Sequence, residues 1–194
     1  ACGMTCCNVT LATIAIWTPS FLIRVHELPL RSAGLAAAFA VGVCGALGAG
    51  FNGAIADRIG RRNEWKKLLV PVIGVSMSIV LGLSAFLLVE GATLAVAMMG
   101  LMAFVGQSFI GVGYGLASSL APLAMRAATI SILLVSFNVL SYGLGTLVVG
   151  AVSDASHAVA GSRSIGVGMA SALFFSLIGM LSFWRAATLL RARS

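Results

Sequence analysis

The feature that most constrains this chain is a regular succession of long apolar stretches separated by short polar gaps. A helix needs about 20 apolar residues to cross the hydrocarbon core of a bilayer, and six stretches of the chain reach that length. They cover approximately residues 4–23, 33–56, 68–89, 93–116, 128–152 and 165–184. We therefore expect an all-α membrane protein, with six transmembrane helices forming one bundle.

The composition excludes a soluble domain. Of the 194 residues, 60% are hydrophobic and 9% are charged, and the mean hydropathy is +1.08. So few charged side chains cannot cover a globule of this size. The net charge of +7 does not indicate nucleic-acid binding, because most basic residues lie in short gaps between apolar stretches. The chain begins at Ala1 with an apolar stretch and no basic leader, so we expect it to start within a longer protein.

The basic residues predict the orientation, because cytoplasmic loops carry the excess of Lys and Arg. Nine of them lie on one side of the predicted bundle and three on the other. The nine are Arg58, Arg61, Arg62, Lys66, Lys67, Arg126, Arg185, Arg191 and Arg193, and the three are Arg24, Arg31 and Arg163. We therefore expect both ends of the chain in the cytoplasm, in a multi-pass protein of the cell (inner) membrane. Cysteines near Ala1 would then be free thiols in a reducing compartment.

The most specific motif joins the second and third stretches and reads GAIADRIGRR at residues 53–62. It resembles the G-x-x-x-D-R-x-G-R-R loop of the major facilitator superfamily of transporters. Gly53 permits close helix packing, Asp57 can accept hydrogen bonds from a helix N-terminus, and Gly60 allows a tight reversal. A loop that only anchored the chain to anionic lipid would need the arginines but not Asp57 or the two glycines.

Further segments extend this resemblance over nearly the whole chain. Residues 17–26, then 122–127, Asn138 and 143–145, look like the seventh helix and the tenth-to-eleventh-helix region of the spinster-like branch. In this register the chain is the C-terminal six-helix half, and its partner is a missing N-terminal half or a second copy. Members of the branch are associated with lysolipids, sphingolipids and other amphiphiles. The resemblance implies secondary active or facilitated transport of a small solute by alternating access, with an amphiphilic, lipid-like or organic-anion substrate.

Several loop residues are candidates for a conformational latch at the cytoplasmic face. Asp57 can pair with Arg126 or with Arg61, and such contacts can form in one transport state and break in another. The predicted latch comprises Gly53, Asp57, Arg58, Gly60, Arg61, Arg62 and Arg126.

Polar and aromatic residues at mid-depth are candidates for the substrate cavity. The resemblance implies that the first, second, fourth and fifth spans line it, and a polar side chain facing lipid is costly. The candidates are Thr13, Trp17, Gln107, Ser108, Tyr114, Asn138 and Tyr142. For each of them, a hydrogen bond between helices with no ligand is an equally open role.

The distribution of titratable residues limits the remaining functions. No Asp, Glu, Lys, Arg or His lies deep inside a predicted span. A proton-coupling group must therefore lie in the missing half or at the outer mouth, near His26 and Glu27, unless the carrier is a uniporter. His26 and His157 lie in separate loops without a matching nucleophile or metal cluster, so we expect no enzyme, metal or cofactor. A transport-inactive sensor or scaffold with a facilitator fold is the alternative.

The charge asymmetry makes the orientation testable. We expect a label at Asn63 to be reached only from the cytoplasmic side and one at Ser162 only from outside. Labelling single-cysteine variants with a membrane-impermeant maleimide, in intact cells and in inverted vesicles, measures both. Labelling of position 63 in intact cells would contradict the topology.

Overall fold

A computed structural model of the chain describes residues 2–61 and 63–192, the side chains of Glu64 and Leu120 excepted. All regular structure in these residues is helical. The α-helices are α1 (Cys2–His26), α2 (Leu30–Ala37), α3 (Cys44–Gly60), α4 (Glu64–Lys67), α5 (Leu69–Leu83), α6 (Ala92–Gly106), α7 (Ser108–Leu120), α8 (Arg126–Ala160) and α9 (Ser164–Arg191). Shorter helical segments are the π-helical turns Ala38–Val43 and Ser84–Leu88 and the 3-10 turns Leu123–Met125 and Gly161–Arg163.

Five continuous helical stretches are long and apolar enough to cross a membrane. They are Cys2–His26, Leu30–Gly60, Trp65–Leu88, Ala92–Ser119 and Leu123–Arg191. The expected class, an all-α membrane protein, is confirmed, whereas six separate membrane-length stretches are not found in the described residues. The last stretch is 69 residues long and contains both α8 and α9. The expected fifth and sixth crossings therefore both fall within it.

A sharp turn at Gly161 separates α8 from α9. Its φ is +54°, a left-handed conformation that glycine adopts without a steric penalty. Beyond the turn the two helices pack together, since a Cβ atom built on Gly168 would lie 2.7 Å from the carbonyl oxygen of Val149. The hydroxyl oxygens of Ser153 and Ser164 are 3.4 Å apart across the same contact. The chain therefore reverses here, and α9 runs back along α8.

Polar contacts attach α1 to both helices of this pair. The Asn8 side-chain amide donates to the Ser141 hydroxyl oxygen on α8, with a donor–acceptor distance of 2.8 Å. The Thr10 hydroxyl donates to the carbonyl oxygen of Ala172 on α9 at 2.7 Å. Hydrogen bonds between helices act as polar links where no water competes. They set the depth of α1 relative to α8 and α9.

The backbones of α3 and α6 come into contact at Gly48. A Cβ atom at this position would clash with the carbonyl oxygen of Phe104. One turn further along α3, the Asn52 side-chain amide donates to the same carbonyl oxygen at 2.8 Å and to that of Gly48 at 2.7 Å. A small residue that admits a neighbouring backbone, followed by a polar link, is typical of helix packing in membranes.

Two apolar clusters fill opposite ends of the bundle. The first includes Phe21, Leu22, Phe86, Met99 and Ile165. The second includes Met4, Leu68, Phe109, Phe137 and Phe183. The second cluster lies nearest to the loop 57–67, to Arg126 and to the end of α9, where most of the basic residues are. We call this end of the molecule the basic end.

The backbone contact at Gly48 predicts that alanine destabilises the protein at this position but not at the nearby Gly50. We expect Gly48→Ala to lower the free energy of unfolding by roughly 1–3 kcal/mol, the usual cost of overpacking a filled interior, because α3 and α6 must separate. Gly50→Ala is the control, since a Cβ atom there meets nothing within 4 Å. Thermal unfolding in detergent, followed by circular dichroism, compares the two variants. Equal stabilities would contradict the packing of α3 on α6.

Candidate functional site

The motif at residues 53–62 borders a narrow cleft between α3 and α7, at the basic end. A Cβ atom on Gly111 would lie 3.4 Å from the Cα atom of Gly53, an ordinary contact, and a Cβ atom on Gly53 would meet nothing within 4 Å. The cleft has a volume of about 160 Å³, and Asp57, Lys67 and Ser119 contribute its polar lining. The aliphatic part of Lys67 lies where a side chain on residue 60 would have to be, so Gly60 leaves room for it. Asp57 therefore faces a cleft whose walls are largely glycine and apolar side chains.

The cationic residues of the predicted latch are exposed. Arg58, Arg61 and Arg126 point to the surface, and Nε of Arg126 donates to the carbonyl oxygen of Ala121 at 3.3 Å. Arg62 lies outside the described residues. Among the described side chains, the ion pair found joins Arg163 to Glu90. The structure therefore has no ionic contact of Asp57 with Arg61 or Arg126, and this conformation does not contain the predicted pairing.

Gln107 interrupts the helix between α6 and α7, with φ −72° and ψ 0°. In an uninterrupted helix, the N–H of residue 108 would donate to the carbonyl oxygen of Phe104. Asn52 donates to that oxygen instead. Gln107 Oε1 and the hydroxyl oxygen of Ser108 are buried and have no hydrogen-bond partner among the described residues. Unpaired polar atoms at this depth are costly, which marks the interruption as a functional candidate.

Three of the predicted cavity residues lie within the bundle, namely Trp17, Thr13 and Tyr114. The Trp17 ring is half-buried opposite Gly150 on α8, and its Nε1 is buried without a partner in the described part of the chain. The Thr13 hydroxyl donates to the carbonyl oxygen of Val9 at 2.6 Å, and the side chain is fully buried. The Tyr114 ring packs in the second apolar cluster. Thr13 therefore supports helix packing in this conformation, whereas Trp17 retains an unused donor.

Asn138 and Tyr142 lie on the open side of α8. The buried side of this helix recurs every four residues, at Phe137, Ser141, Gly145, Val149 and Ser153. Asn138 is exposed and donates to the carbonyl oxygen of Leu134 at 2.8 Å, within its own helix. The Tyr142 side chain is 53% exposed. Residues four apart share a face of a helix, so these two side chains form one polar stripe.

Two of the loops meet at the end opposite the basic end. His26 Nδ1 is 3.2 Å from the carbonyl oxygen of Glu90, and the Glu90 carboxylate pairs with Arg163 at 3.2 Å. Nε2 of His26 is buried without a hydrogen-bond partner among the described residues. Glu27 is exposed and has a positive φ of 54°. His26 therefore contacts the loop before α6, while Glu27 points outward.

The candidates thus fall into separate groups rather than one pocket. Gln107 and Ser108 share the interruption, Asn138 and Tyr142 share a stripe, and Asp57 lies in the basic-end cleft. Sequence reasoning missed Asn52 and Asn8, whose amides join helices. Both are Asn residues within apolar stretches, and such residues usually hydrogen-bond to a neighbouring helix. That signal was present in the sequence.

Comparison with known proteins gives three informative likenesses, and no family model matches the chain. An MFS-type efflux pump of Mycolicibacterium smegmatis is 26% identical over 176 residues, which are 90% of this chain and 40% of the pump. Two crystal structures of a bacterial homologue of the human lysosomal transporter Spinster are also similar. The inward-facing, unoccupied form has a TM-score of 0.81 and 17% identity over 98% of this chain and 47% of that protein. The inward-facing, occupied form has a TM-score of 0.75 and 18% identity over 97% and 48%.

The fold therefore defines a multi-pass helical membrane protein built like part of a transporter. The resemblance to the major facilitator superfamily is confirmed, and the chain has the fold of half of such a transporter. The chain spans less than half the length of the relatives it matches. The likeness to the spinster-like structures, at 17% and 18% identity, is one of fold.

Proposed function

We propose that this chain is the C-terminal half of a solute carrier that works by alternating access. The observation that carries the proposal is the polar stripe of Asn138 and Tyr142 on the open side of α8. An amide and a phenol at mid-depth are poorly accommodated by hydrocarbon and well accommodated by a water-filled cavity. In facilitator transporters that cavity lies between two related halves. The match to less than half of each relative supports a second half opposite the stripe.

The proposed half crosses the membrane six times. The reversal at Gly161 supports this count, because it divides Leu123–Arg191 into two helices that pack side by side. Each of these helices is long enough to span a bilayer core of about 30 Å. An even number of crossings leaves both ends of the segment on the basic, cytoplasmic side. The other half is either an N-terminal bundle or a second copy of this chain.

The proposed substrate site lies between the halves and takes a small, amphiphilic solute. Asn138 and Tyr142 supply hydrogen-bonding groups, and Trp17 supplies an apolar ring with an unused N–H. Gln107 and Ser108 supply unpaired oxygens at the helix interruption, where a change of state can expose them. Thr13 and Tyr114 hold the surrounding helices in place. No cofactor is required for such binding.

The efflux pump and the spinster-like protein of similar fold are transporters rather than enzymes, which supports a non-enzymatic role. A sensor or scaffold with the same fold is the alternative function. Counterflow into proteoliposomes separates the two, using the full-length protein with a fluorescent lysophospholipid and a lipophilic organic anion as probes. Saturable, protein-dependent uptake of either probe supports a carrier. Binding without any uptake supports the sensor.

The polar stripe and the interruption predict a specific loss of function. We expect Asn138→Ala and Gln107→Ala to weaken probe binding about three- to tenfold, the effect of one lost hydrogen bond, with expression close to normal. Val139→Ala is the control, because this exposed neighbour carries no polar group. Scintillation proximity or fluorescence titration measures affinity. Unchanged affinity in both polar variants would assign these residues to helix packing.

Asp57 is the residue on which the proposed latch depends. The proposed contact with Arg126 or Arg61 forms in one transport state and breaks in another, and in the present conformation Asp57 makes no ion pair with a described arginine. An energy of about 1.4 kcal/mol changes a ratio of states tenfold. We expect Asp57→Asn, which removes the charge and keeps the size, to reach the membrane normally, lose most flux and shift towards the inward-open state.

The matched control for this variant is Asp154→Asn, an exposed carboxylate beyond the polar stripe on α8. Flux is measured in parallel with maleimide labelling of a single cysteine introduced at position 119. Ser119 lines the cleft next to Asp57. Normal flux with unchanged labelling in Asp57→Asn would show that the carboxylate only offsets loop charge.

A further inference from the structure

A second cleft at the basic end lies between the start of the third span and the end of α9. It has a volume of about 80 Å³ and is lined by Trp65, Leu69, Trp184, Ala187, Thr188 and Arg191. Trp65 belongs to α4, directly after the basic loop, and Trp184 lies in the last turns of α9. Tryptophan is enriched where membrane hydrocarbon meets the headgroups. The cleft therefore opens at headgroup level.

Two cations lie over the ring of one of these tryptophans. The guanidinium carbon of Arg191 is 5.3 Å from the Trp65 ring centroid, and Nζ of Lys66 is 5.7 Å from it. Both distances are within the range of a cation–π contact. The indole thus holds two positive charges beside an apolar cleft. This combination suits an anionic group joined to an apolar body.

Other basic residues around this cleft add to the positive charge of Lys66 and Arg191. Seven described Lys and Arg residues lie at the basic end, namely Arg58, Arg61, Lys66, Lys67, Arg126, Arg185 and Arg191. The described carboxylate at this end, Asp57, lines the other cleft, between α3 and α7. Clusters of basic residues next to a span attract anionic lipids, and each cation near the surface contributes to that attraction.

We propose that this cleft binds the phosphate headgroup of an anionic phospholipid from the adjoining leaflet. Lys66 and Arg191 hold the phosphate, and the lipid backbone lies against Trp65 and Trp184. The cleft is too small for a whole lipid, so the acyl chains continue along the exposed apolar faces of α5 and α9. Those faces present Ile73, Met77, Leu177 and Leu181. The bound lipid joins α4, next to the basic loop, to the end of α9.

Native mass spectrometry of the delipidated full-length protein tests the site. The protein is titrated with phosphatidylglycerol and with phosphatidylcholine of identical acyl chains, and the dissociation constant of the first bound lipid is measured. We expect phosphatidylglycerol to bind more tightly. Lys66→Gln with Arg191→Gln is expected to weaken it by roughly fivefold per charge removed, which corresponds to about 1 kcal/mol each.

Arg185→Gln is the matched control for Arg191→Gln alone, because each removes one charge from the end of α9 and Arg185 does not line the cleft. Retained affinity in this control, with loss in Arg191→Gln and in the double variant, supports the site. Equal losses in Arg185→Gln and Arg191→Gln would mean that a diffuse surface charge attracts the lipid, and the proposal would be wrong. Equal binding of the two lipids to the unmodified protein would also overturn it. Circular dichroism of each variant verifies that the fold is intact, and the result does not depend on transport.

Discussion

The absence of water in the hydrocarbon core is the constraint on which the rest of this structure depends. Every backbone polar group there needs a partner within the protein, and helices supply one for nearly all of them. Side-chain hydroxyls follow the same rule. Thr13, Thr18 and Ser76 each donate to the carbonyl oxygen four residues earlier in their own helix. An apolar sequence with scattered Ser and Thr can therefore remain helical across the membrane.

The interruption at Gln107 is the instructive exception. Asn52 on α3 supplies the donor that the carbonyl oxygen of Phe104 needs there, and Gly48 lets the two backbones come close enough for this bond. Irregular backbone at membrane depth is tolerated where protein buries it or where it borders a cavity. Beside the interruption, the side-chain oxygens of Gln107 and Ser108 are buried without a hydrogen-bond partner among the described residues. Such atoms gain free energy in any state that gives them a partner.

Some features were predictable because they depend on a local stretch of sequence and not on how helices pack together. The apolar stretches and the motif at 53–62 needed only the hydrocarbon thickness and a short pattern of residue types. That Asn52 bonds to a neighbouring helix could have been predicted, but its partner, the carbonyl oxygen of Phe104, could not. The contact of Gly48 with the backbone of Phe104 and the π-helical turn at Ala38–Val43 were not predictable either. Each depends on the register of one helix against another, and a periodic apolar pattern leaves that register undetermined. For the same reason, the sequence could not distinguish Thr13 from Asn138, since both are polar residues at mid-depth. Only the packing of α1 and α8 shows that Thr13 is buried and Asn138 is exposed.

The difference between α1 and α8 supports the proposal that a second half lies opposite α8. α1 is held on two sides, by Ser141 of α8 and by the backbone of α9 at Ala172, so the side chains of Asn8 and Thr10 are used within the bundle. α8 buries one residue in four along its middle and leaves Asn138 and Tyr142 open. A lipid-facing helix gains nothing from an amide and a phenol at this depth. The open side of α8 therefore supports the proposal of a cavity shared with a second half.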